Sequence, residues 1–329
     1  MVAKERTIKP SVEAPADKHK GAASVMEEIN KKHGLNSVMR FGNGNCIKVP
    51  CVPTGLYMLD NHVIGAGGIP RNRITEIFAD YSAGKTTLVL QTIANAQRSG
   101  GVCAFIDAEH ALNPNYAEAL GVNMDELLVS QPDSAEEALD IAETLARSKS
   151  FDVIAIDSVA ALVPIGEINN EIGASNMGLH SRLMSSALRK LTPAIATSGA
   201  AFCFLNQMRS KLGVVYGDPN VTSGGRALSF FSSLRLQLYR STQSKEGDEV
   251  LGNLVRIKAV KNKFTSPFRE CTVDMVFGKG FSREGSVLDA AVDNEVVAKA
   301  GAWYSFNGER LGQGRDAVME NLRSNETLY

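Results

Sequence analysis

The sequence predicts an α/β fold, a central and mostly parallel β-sheet flanked by helices and ending in antiparallel strands. Two observations carry this. From residue 73 to residue 206, short apolar runs rich in β-formers alternate with stretches of helical periodicity, which is the pattern of strands joined by crossover helices. After that, three strand-like runs follow one another with no helix between them, as antiparallel neighbours do. The composition suits such a core. The chain has 329 residues, 44% apolar and 22% charged, enough for one large α/β core with appendages or for two domains.

Taken in order, residues 1–20 are polar, mixed in charge and contain proline, and are expected to be a disordered tail. Residues 21–55 hold an amphipathic helix and a linker. Ala22, Val25, Met26 and Ile29 fall at i, i+3, i+4 and i+7, one face of a helix, and Gly34 is placed to cap its C-terminus. That stripe needs a surface to cover it, either the chain's own core or a neighbouring subunit. Residues 56–277 form the core. "RITEIF" (73–78), "VCAFID" (102–107), "ELLVS" (126–130), "FDVIAID" (151–157) and "AAFCFLN" (200–206) read as strands, with helices between them. "SSLRLQLYR", "NLVRIKAVK" and "CTVDMVF" follow as the antiparallel end of the sheet. Residues 278–329 turn Gly-rich and then briefly helical, a small C-terminal α+β subdomain. No internal repeat is present.

Several function classes are excluded. The formal net charge is −1, so any basic surface for nucleic acid must be local. No apolar run is long enough to span a bilayer, and the N-terminus lacks the apolar stretch of a secretory signal. The five cysteines make no C-x-x-C pair, so neither a zinc site nor a disulfide framework is expected. These features predict a soluble, reduced, cytoplasmic protein with no membrane partner.

The chemistry is read from "EIFADYSAGKTTLVLQ" (76–91). A phosphate loop has the pattern G-x-x-x-x-G-K-[ST], and Gly84, Lys85 and Thr86 supply its last three letters. The loop lies between a strand and a helix N-terminus, where consecutive N–H groups can face an anion. Lys85 then reaches the β- and γ-phosphates, and the Thr86 hydroxyl ligates Mg²⁺. Ala79 stands at the first glycine position. It costs on the order of 1 kcal/mol if its φ is positive and little if it is negative. Asp157 ends an apolar strand about 70 residues downstream, the place of a magnesium-site aspartate. Asp107 and Glu109 end another strand, where ligands of open α/β sheets bind. Glu109 is the candidate general base, and Asp107 is expected to be structural.

Further motifs are "CAFIDAEHALNPNYAEALGV", "SQPDSAEEALDIAETLARS", "DVIAIDSVAALVP", "EIGASNMGL", "NQMRSKLGVVYGDP", "TSGGRALSFFSSLRL", "VKNKFTSPF" and "GAWYSFNGERLGQG". Together, from about residue 20 to about residue 320, they closely resemble the bacterial RecA recombinase family. The resemblance implies a RecA-like phosphate-loop NTPase core. It also implies an ATP-dependent recombinase that forms helical filaments on single-stranded DNA and exchanges strands with homologous double-stranded DNA, using ATP and Mg²⁺. It assigns the loop residues Ala79, Asp80, Tyr81, Ser82, Ala83, Gly84, Lys85, Thr86 and Thr87 to the nucleotide. Thr86 and Asp157 fall to the metal, and Glu109 to water activation. Gln207 matches a glutamine that senses the γ-phosphate and couples it to a DNA-binding loop. Tyr116 and Phe277 match aromatics on adenine, and Asn113 stands where the family has an aspartate near the base. Lys261 and Lys263 match lysines that reach the nucleotide of the adjacent subunit; their spacing of two suggests one face of a strand.

For DNA, two long Gly-containing segments (164–178 and 208–225) flank the sheet end, and structureless loops of that size are usually functional or disordered. Arg182, Arg189, Arg209 and Lys211 resemble the family's phosphate contacts, although ordinary surface charge would look the same. Met177 and Leu212 match apolar residues that wedge between bases. Gly224 and Gly225 are expected to admit DNA closely. Arg226 replaces a family asparagine and adds a charge there. The apolar stripe of the N-terminal helix and Phe230 match contacts between subunits of a head-to-tail filament. The chain ends before the helical extension and acidic tail typical of the family, from which weaker autoinhibition of DNA binding is expected. That end and the divergent loop suit a phage- or plasmid-borne relative. Two other readings stay open: a filament-forming DNA-binding protein with hydrolysis impaired by Ala79, and a same-fold helicase or signalling ATPase.

Overall fold

The computed structural model describes residues 15–34, 37–38, 49–171, 176, 178–210, 220–246 and 249–325. The chain divides into two compact units, Met1–Lys48 and Val49–Tyr329. In the first, helix α1 covers Pro15–His33. A proline at the first helical position needs no donor and has φ preset, so the helix opens ahead of its apolar stripe and takes in residues 15–20. Lys31, Lys32 and His33 occupy its last turn, where positive charge suits the helix dipole. Gly34 follows with φ +103° and its N–H on the Asn30 carbonyl.

The second unit opens with β1 (Cys51–Val52), a seven-residue π-helical turn (Met58–Ile64) and β2 (Ile69–Pro70), which pairs antiparallel with β1. Then come β3 (Arg73–Ala79), α2 (Lys85–Arg98), β4 (Cys103–Asp107), α3 (Pro114–Ala119), β5 (Leu127–Ser130) and α4 (Ala135–Ser148). They are followed by β6 (Val153–Asp157), α5 (Ile165–Ile168), α6 (Leu179–Ala196), β7 (Ala201–Ser210), β8 (Asn220–Thr222) and α7 (Ala227–Phe231). Strands β9 (Leu234–Glu246), β10 (Glu249–Asn262), β11 (Glu270–Val276) and β12 (Gly280–Phe281) end the main sheet. The C-terminal part is α8 (Arg283–Asp293), a three-stranded meander of β13 (Ala298–Ala300), β14 (Trp303–Phe306) and β15 (Glu309–Gln313), and α9 (Arg315–Ser324).

The main sheet runs β12-β11-β10-β9-β3-β7-β6-β4-β5, with β8 added antiparallel to the end of β7. The pairs from β5 to β3 are parallel. The first of the three late strands, β9, also joins parallel to β3, and the antiparallel end of the sheet begins with β10 and continues through β11 and β12. The reason is the short α7, which carries the chain across before β9 begins.

Alternation along the strands feeds two cores, one on each face of the sheet. Phe105 and Leu205 pack with Leu88, Leu90 and Ile93 of α2. Their neighbours Ile106 and Phe204 pack on the other face with Leu139 of α4 and Leu188, Leu191 and Ile195 of α6. A third, smaller core joins Leu288, Val297, Tyr304, Val318 and Leu322 in the C-terminal part. Arg315 ties that part to the sheet through an ion pair with Asp274 of β11, and at 2.6 Å it also pairs with Asp289 of α8. Cys103 and Cys203 are fully buried free thiols, as their apolar surroundings suggest. No helix among the described residues is long and apolar enough to cross a membrane.

Candidate functional site

The register of the parallel strands brings the candidate residues to one edge. Ala79 at the end of β3 lies opposite Gln207 of β7, and Asp107 of β4 lies opposite Asp157 of β6. The loop leaving β3 takes positive φ at Ser82 (55°) and Gly84 (91°), and Gly84 precedes the first residue of α2. A Cβ at Gly84 would stand 2.8 Å from both the Met275 sulfur and the Phe281 ring, so glycine is required there for space and for φ. Ala79 is fully buried in extended strand pairing and has no positive φ. Its methyl therefore meets none of the strain considered for that position.

Within this edge, the Thr86 hydroxyl donates to Asp157 Oδ2 at 2.6 Å. Lys85 Nζ donates to the Asp80 carbonyl at 3.0 Å. Burial pushes the Asp157 carboxyl up to about 6, with Glu109 and Asp107 adding to the shift while the Thr86 hydrogen bond and Lys85 oppose it. Burial likewise lowers the Lys85 ammonium, against the attraction of Asp157, Glu109 and Asp80. Glu109 is exposed on the turn after β4, and its carboxylate accepts from Gln207 Nε2 at 2.9 Å and from Ser158 Oγ. Asp107 is fully engaged in structure, accepting from the N–H groups of Ala111 and Leu112 and from Gln131 Nε2.

The aromatic side of the site is formed by α3 and the end of β11. Tyr116 hydroxyl lies 2.8 Å from Thr87 Oγ1, and Phe277 is exposed just after β11. Asn113 is the N-cap of α3, its side-chain oxygen accepting from the Tyr116 N–H at 3.2 Å. An asparagine does this as well as an aspartate. Tyr81 is 77% exposed, with the Arg240 guanidinium 5.9 Å from its ring centre. Together with Asp80, Ala83 and Tyr239 they line a shallow cavity of about 160 Å³ beside the loop.

Lys261 and Lys263 are not at this edge. Lys261 pairs across from Arg235, which itself pairs with Glu76, well short of Ala79 along the strands. Lys261 Nζ donates to the carbonyls of Ser229 and Phe230 in α7, at 2.7 and 2.9 Å. Lys263 lies one residue past β10, and the register shifts between Ala259 and Lys261. The expectation that both lysines share one face of a strand therefore fails. Asn262 turns the chain between them, bonded to the carbonyls of Val63 and Ile64 and to the N–H groups of Phe264 and Thr265.

Of the nucleic-acid candidates, Met177, Lys211 and Leu212 lie outside the described residues. Arg182 and Arg189 are exposed on α6, seven residues and thus about two turns apart. Arg209 is exposed near the end of β7. Gly224 and Gly225 have φ +81° and +76°, and Cβ atoms there would press on Val159 (3.0 Å) and Ser181 (2.7 Å). Close packing inside the chain thus already demands both glycines. Arg226 is exposed and, with Arg235, Ser229, Gln237, Met208 and Thr222, lines a cavity of about 550 Å³. Phe78 of β3, next to Ala79, also lines that cavity.

Two features escape a linear reading. Glu76, fully buried in β3, pairs with Arg235 at 2.5 Å and accepts from Asn206 Nδ2 at 3.0 Å. Asn206, next to Gln207, also donates to the Ser223 carbonyl at 3.1 Å, fastening the chain that returns from residues 211–219. The signal for this network is a lone charge inside the apolar run "RITEIF". Ser158, which reaches Glu109, carries no signal beyond following Asp157.

Known proteins resemble this chain over nearly its whole length. A model of the RecA N-terminal domain matches residues 20–282, and one of the RecA C-terminal domain matches residues 285–329. The chain is similar to protein RecA of Cutibacterium acnes, 51% identical over 312 residues, 95% of this chain and 89% of that protein. Protein RecA of Clostridium novyi is 52% identical over 312 residues, with the same shares covered. Protein RecA of Acidothermus cellulolyticus is 50% identical over 315 residues, 96% and 91% of the two chains.

Proposed function

The chain belongs to the RecA family of recombinases, and we propose that it hydrolyses ATP in response to single-stranded DNA and pairs that strand with homologous duplex as a head-to-tail filament. As a member of that family it is a DNA-dependent ATPase. The observation that carries the residue assignments is the convergence of Lys85, Thr86, Asp157, Glu109 and Gln207 on one edge of the parallel sheet.

In this reading the phosphates rest on the backbone N–H groups of the loop and of the first turn of α2, with Lys85 on the β- and γ-phosphates. Tyr116 and Phe277 flank the base, and stacking there needs no hydroxyl on Phe277. Thr86 Oγ1 and the buried Asp157 carboxylate, 2.6 Å apart, are hard oxygen donors suited to magnesium. The burial that raises the Asp157 pKa leaves a charge that a divalent cation would satisfy. Bound there, magnesium would neutralise charge on the phosphates. Glu109 accepts the proton of the attacking water. Gln207, held on Glu109 and continuous with the segment after β7, is placed to report the γ-phosphate to the DNA side.

DNA is held through phosphates by Arg182, Arg189, Arg209 and Arg226, with Lys211, Met177 and Leu212 as further contacts. Subunits join through the α1 stripe and Phe230, which is 70% exposed on α7, so that Lys261 and Lys263 meet the neighbour's nucleotide. Ala79 lies in extended pairing with no positive φ, so backbone strain at that position gives no support to impaired hydrolysis. The test is ATP hydrolysis with and without single-stranded DNA, with Lys85→Ala as control. Stimulated, Lys85-dependent turnover is expected, and its absence overturns the reading. Stimulated turnover without exchange of homologous strands would favour a same-fold helicase or signalling ATPase.

A further inference from the structure

Glu109 is fixed to β6 by its backbone as well as by its side chain. The N–H groups of Ala108 and Glu109 both donate to the Asp157 carbonyl, at 2.7 and 3.2 Å. Its carboxylate then takes two donors on a single oxygen, Oε1, from Gln207 Nε2 and from Ser158 Oγ. Among the described residues no hydrogen bond is made to Oε2. One oxygen of the candidate base is held, and the other is free.

The two donors differ in burial. Gln207 is partly buried within β7. Ser158 is completely buried and follows Asp157 directly at the end of β6. Its carbonyl accepts from Ala161, which closes the short 3₁₀ turn Val159–Ala161 beneath it. A hydroxyl carries one proton, and this one is committed to a carboxylate rather than to a nearby backbone carbonyl. Hydrogen bonds to a charged acceptor are the stronger kind.

We propose that Ser158 is the positioning residue for Glu109, a fixed donor that holds Oε1 while Oε2 takes the proton from water and Gln207 is left free to exchange partners. This rests on the assignment of Glu109 as the base. In the step it serves, the water oxygen bonds to the γ-phosphorus and the bond from that phosphorus to the β–γ bridging oxygen breaks. ADP leaves with the electron pair, and the water proton passes to Oε2. Ser158 changes partner at no point, which is why it fixes the carboxylate whether or not DNA is bound.

The test compares full-length wild-type protein, Ser158→Ala, Ser158→Cys, Glu109→Gln and the Ser158→Ala/Glu109→Gln double variant in steady-state ATP hydrolysis with and without single-stranded DNA. Loss of a hydrogen bond to a charged group should lower kcat of Ser158→Ala about tenfold, with and without DNA, while KM for ATP stays within about twofold. Ser158→Cys, close in shape with a weak S–H donor, should fall between serine and alanine. In the Glu109→Gln background the alanine should cost nothing further, because contacting residues that act as a unit are not additive. A Ser158→Ala protein with wild-type kcat overturns the proposal, and so does wild-type turnover in Ser158→Cys alongside a rise in KM in Ser158→Ala. An equal loss in the Glu109→Gln background overturns it too, since Ser158 would then act elsewhere. If Glu109→Gln itself hydrolyses ATP at the wild-type rate, the base assignment fails instead, and Ser158 has nothing to position.

Discussion

Ala79 and Gly84 bracket the phosphate loop and illustrate how backbone conformation decides what a residue costs. Ala79 sits in extended pairing between Gln207 and Leu238, fully buried, with no positive φ. Glycine there would add only unfolded-chain freedom, worth about 0.5–1 kcal/mol of stability. Gly84 is the reverse case: its φ is +91° and a Cβ would meet Met275 and Phe281 at 2.8 Å. Ala79→Gly is therefore expected to change kcat and KM for ATP by less than about twofold. Gly84→Ala should raise KM or lower kcat at least about tenfold, because the loop must shift away from the geometry that points its N–H groups inward. Steady-state hydrolysis by the two variants checks this, and the opposite ranking would mean that the first loop position, not the last, sets the cradle.

At the scale of elements, the π-helical turn Met58–Ile64 is held by one buried carboxylate. Asp60 is 5% exposed and accepts from the Thr54 N–H and hydroxyl and from the Gly55 N–H. Burial nevertheless pushes it up from 3.8 to about 6, outweighing those donors. The folded chain thus holds this proton more tightly than the unfolded chain. Stability contributed at Asp60 is fully present below about pH 4 and is lost as pH rises through about 6, a change on the order of 3 kcal/mol. Urea unfolding of wild type and Asp60→Asn should therefore show a difference in stability that moves against the wild type between pH 4 and pH 7. A constant difference would mean that Asp60 is charged at no cost. The parallel strands β4 and β6 were legible in the sequence because each is a short continuous apolar run closed by a polar residue, at Asp107 and Asp157. The π-helical turn, the two-residue strands β1 and β2, and the parallel entry of β9 were not, since pairing between distant segments decides them. The site divides in the same way. Loop, metal-side and base residues were read from strand ends, whereas the Ser158–Glu109 bond and the Glu76–Arg235–Asn206 network exist only once the strands are side by side.

For the whole molecule, the sheet register determines whether one chain can complete its own site. Lys261 is level with Arg235 and Glu76, three residues and thus about 10 Å short of Ala79 along the strands, and two strands or about another 10 Å across. Its ammonium is also tethered to the α7 carbonyls of Ser229 and Phe230. A lysine so placed does not reach the phosphate loop of its own chain, but a head-to-tail neighbour can bring its loop to it. On the proposed assignment, each active interface needs Lys85 from one subunit and Lys261 from the next. Lys85→Ala and Lys261→Met proteins should each be impaired alone yet complement each other when mixed. With random assembly at equal amounts, about one interface in four joins an intact loop to an intact lysine. The DNA-stimulated rate of the mixture should therefore approach a quarter of wild type, with co-sedimentation on single-stranded DNA confirming that both variants assemble. A mixture no faster than the average of its two components would place the action of Lys261 within its own chain, and would confine its role to anchoring α7.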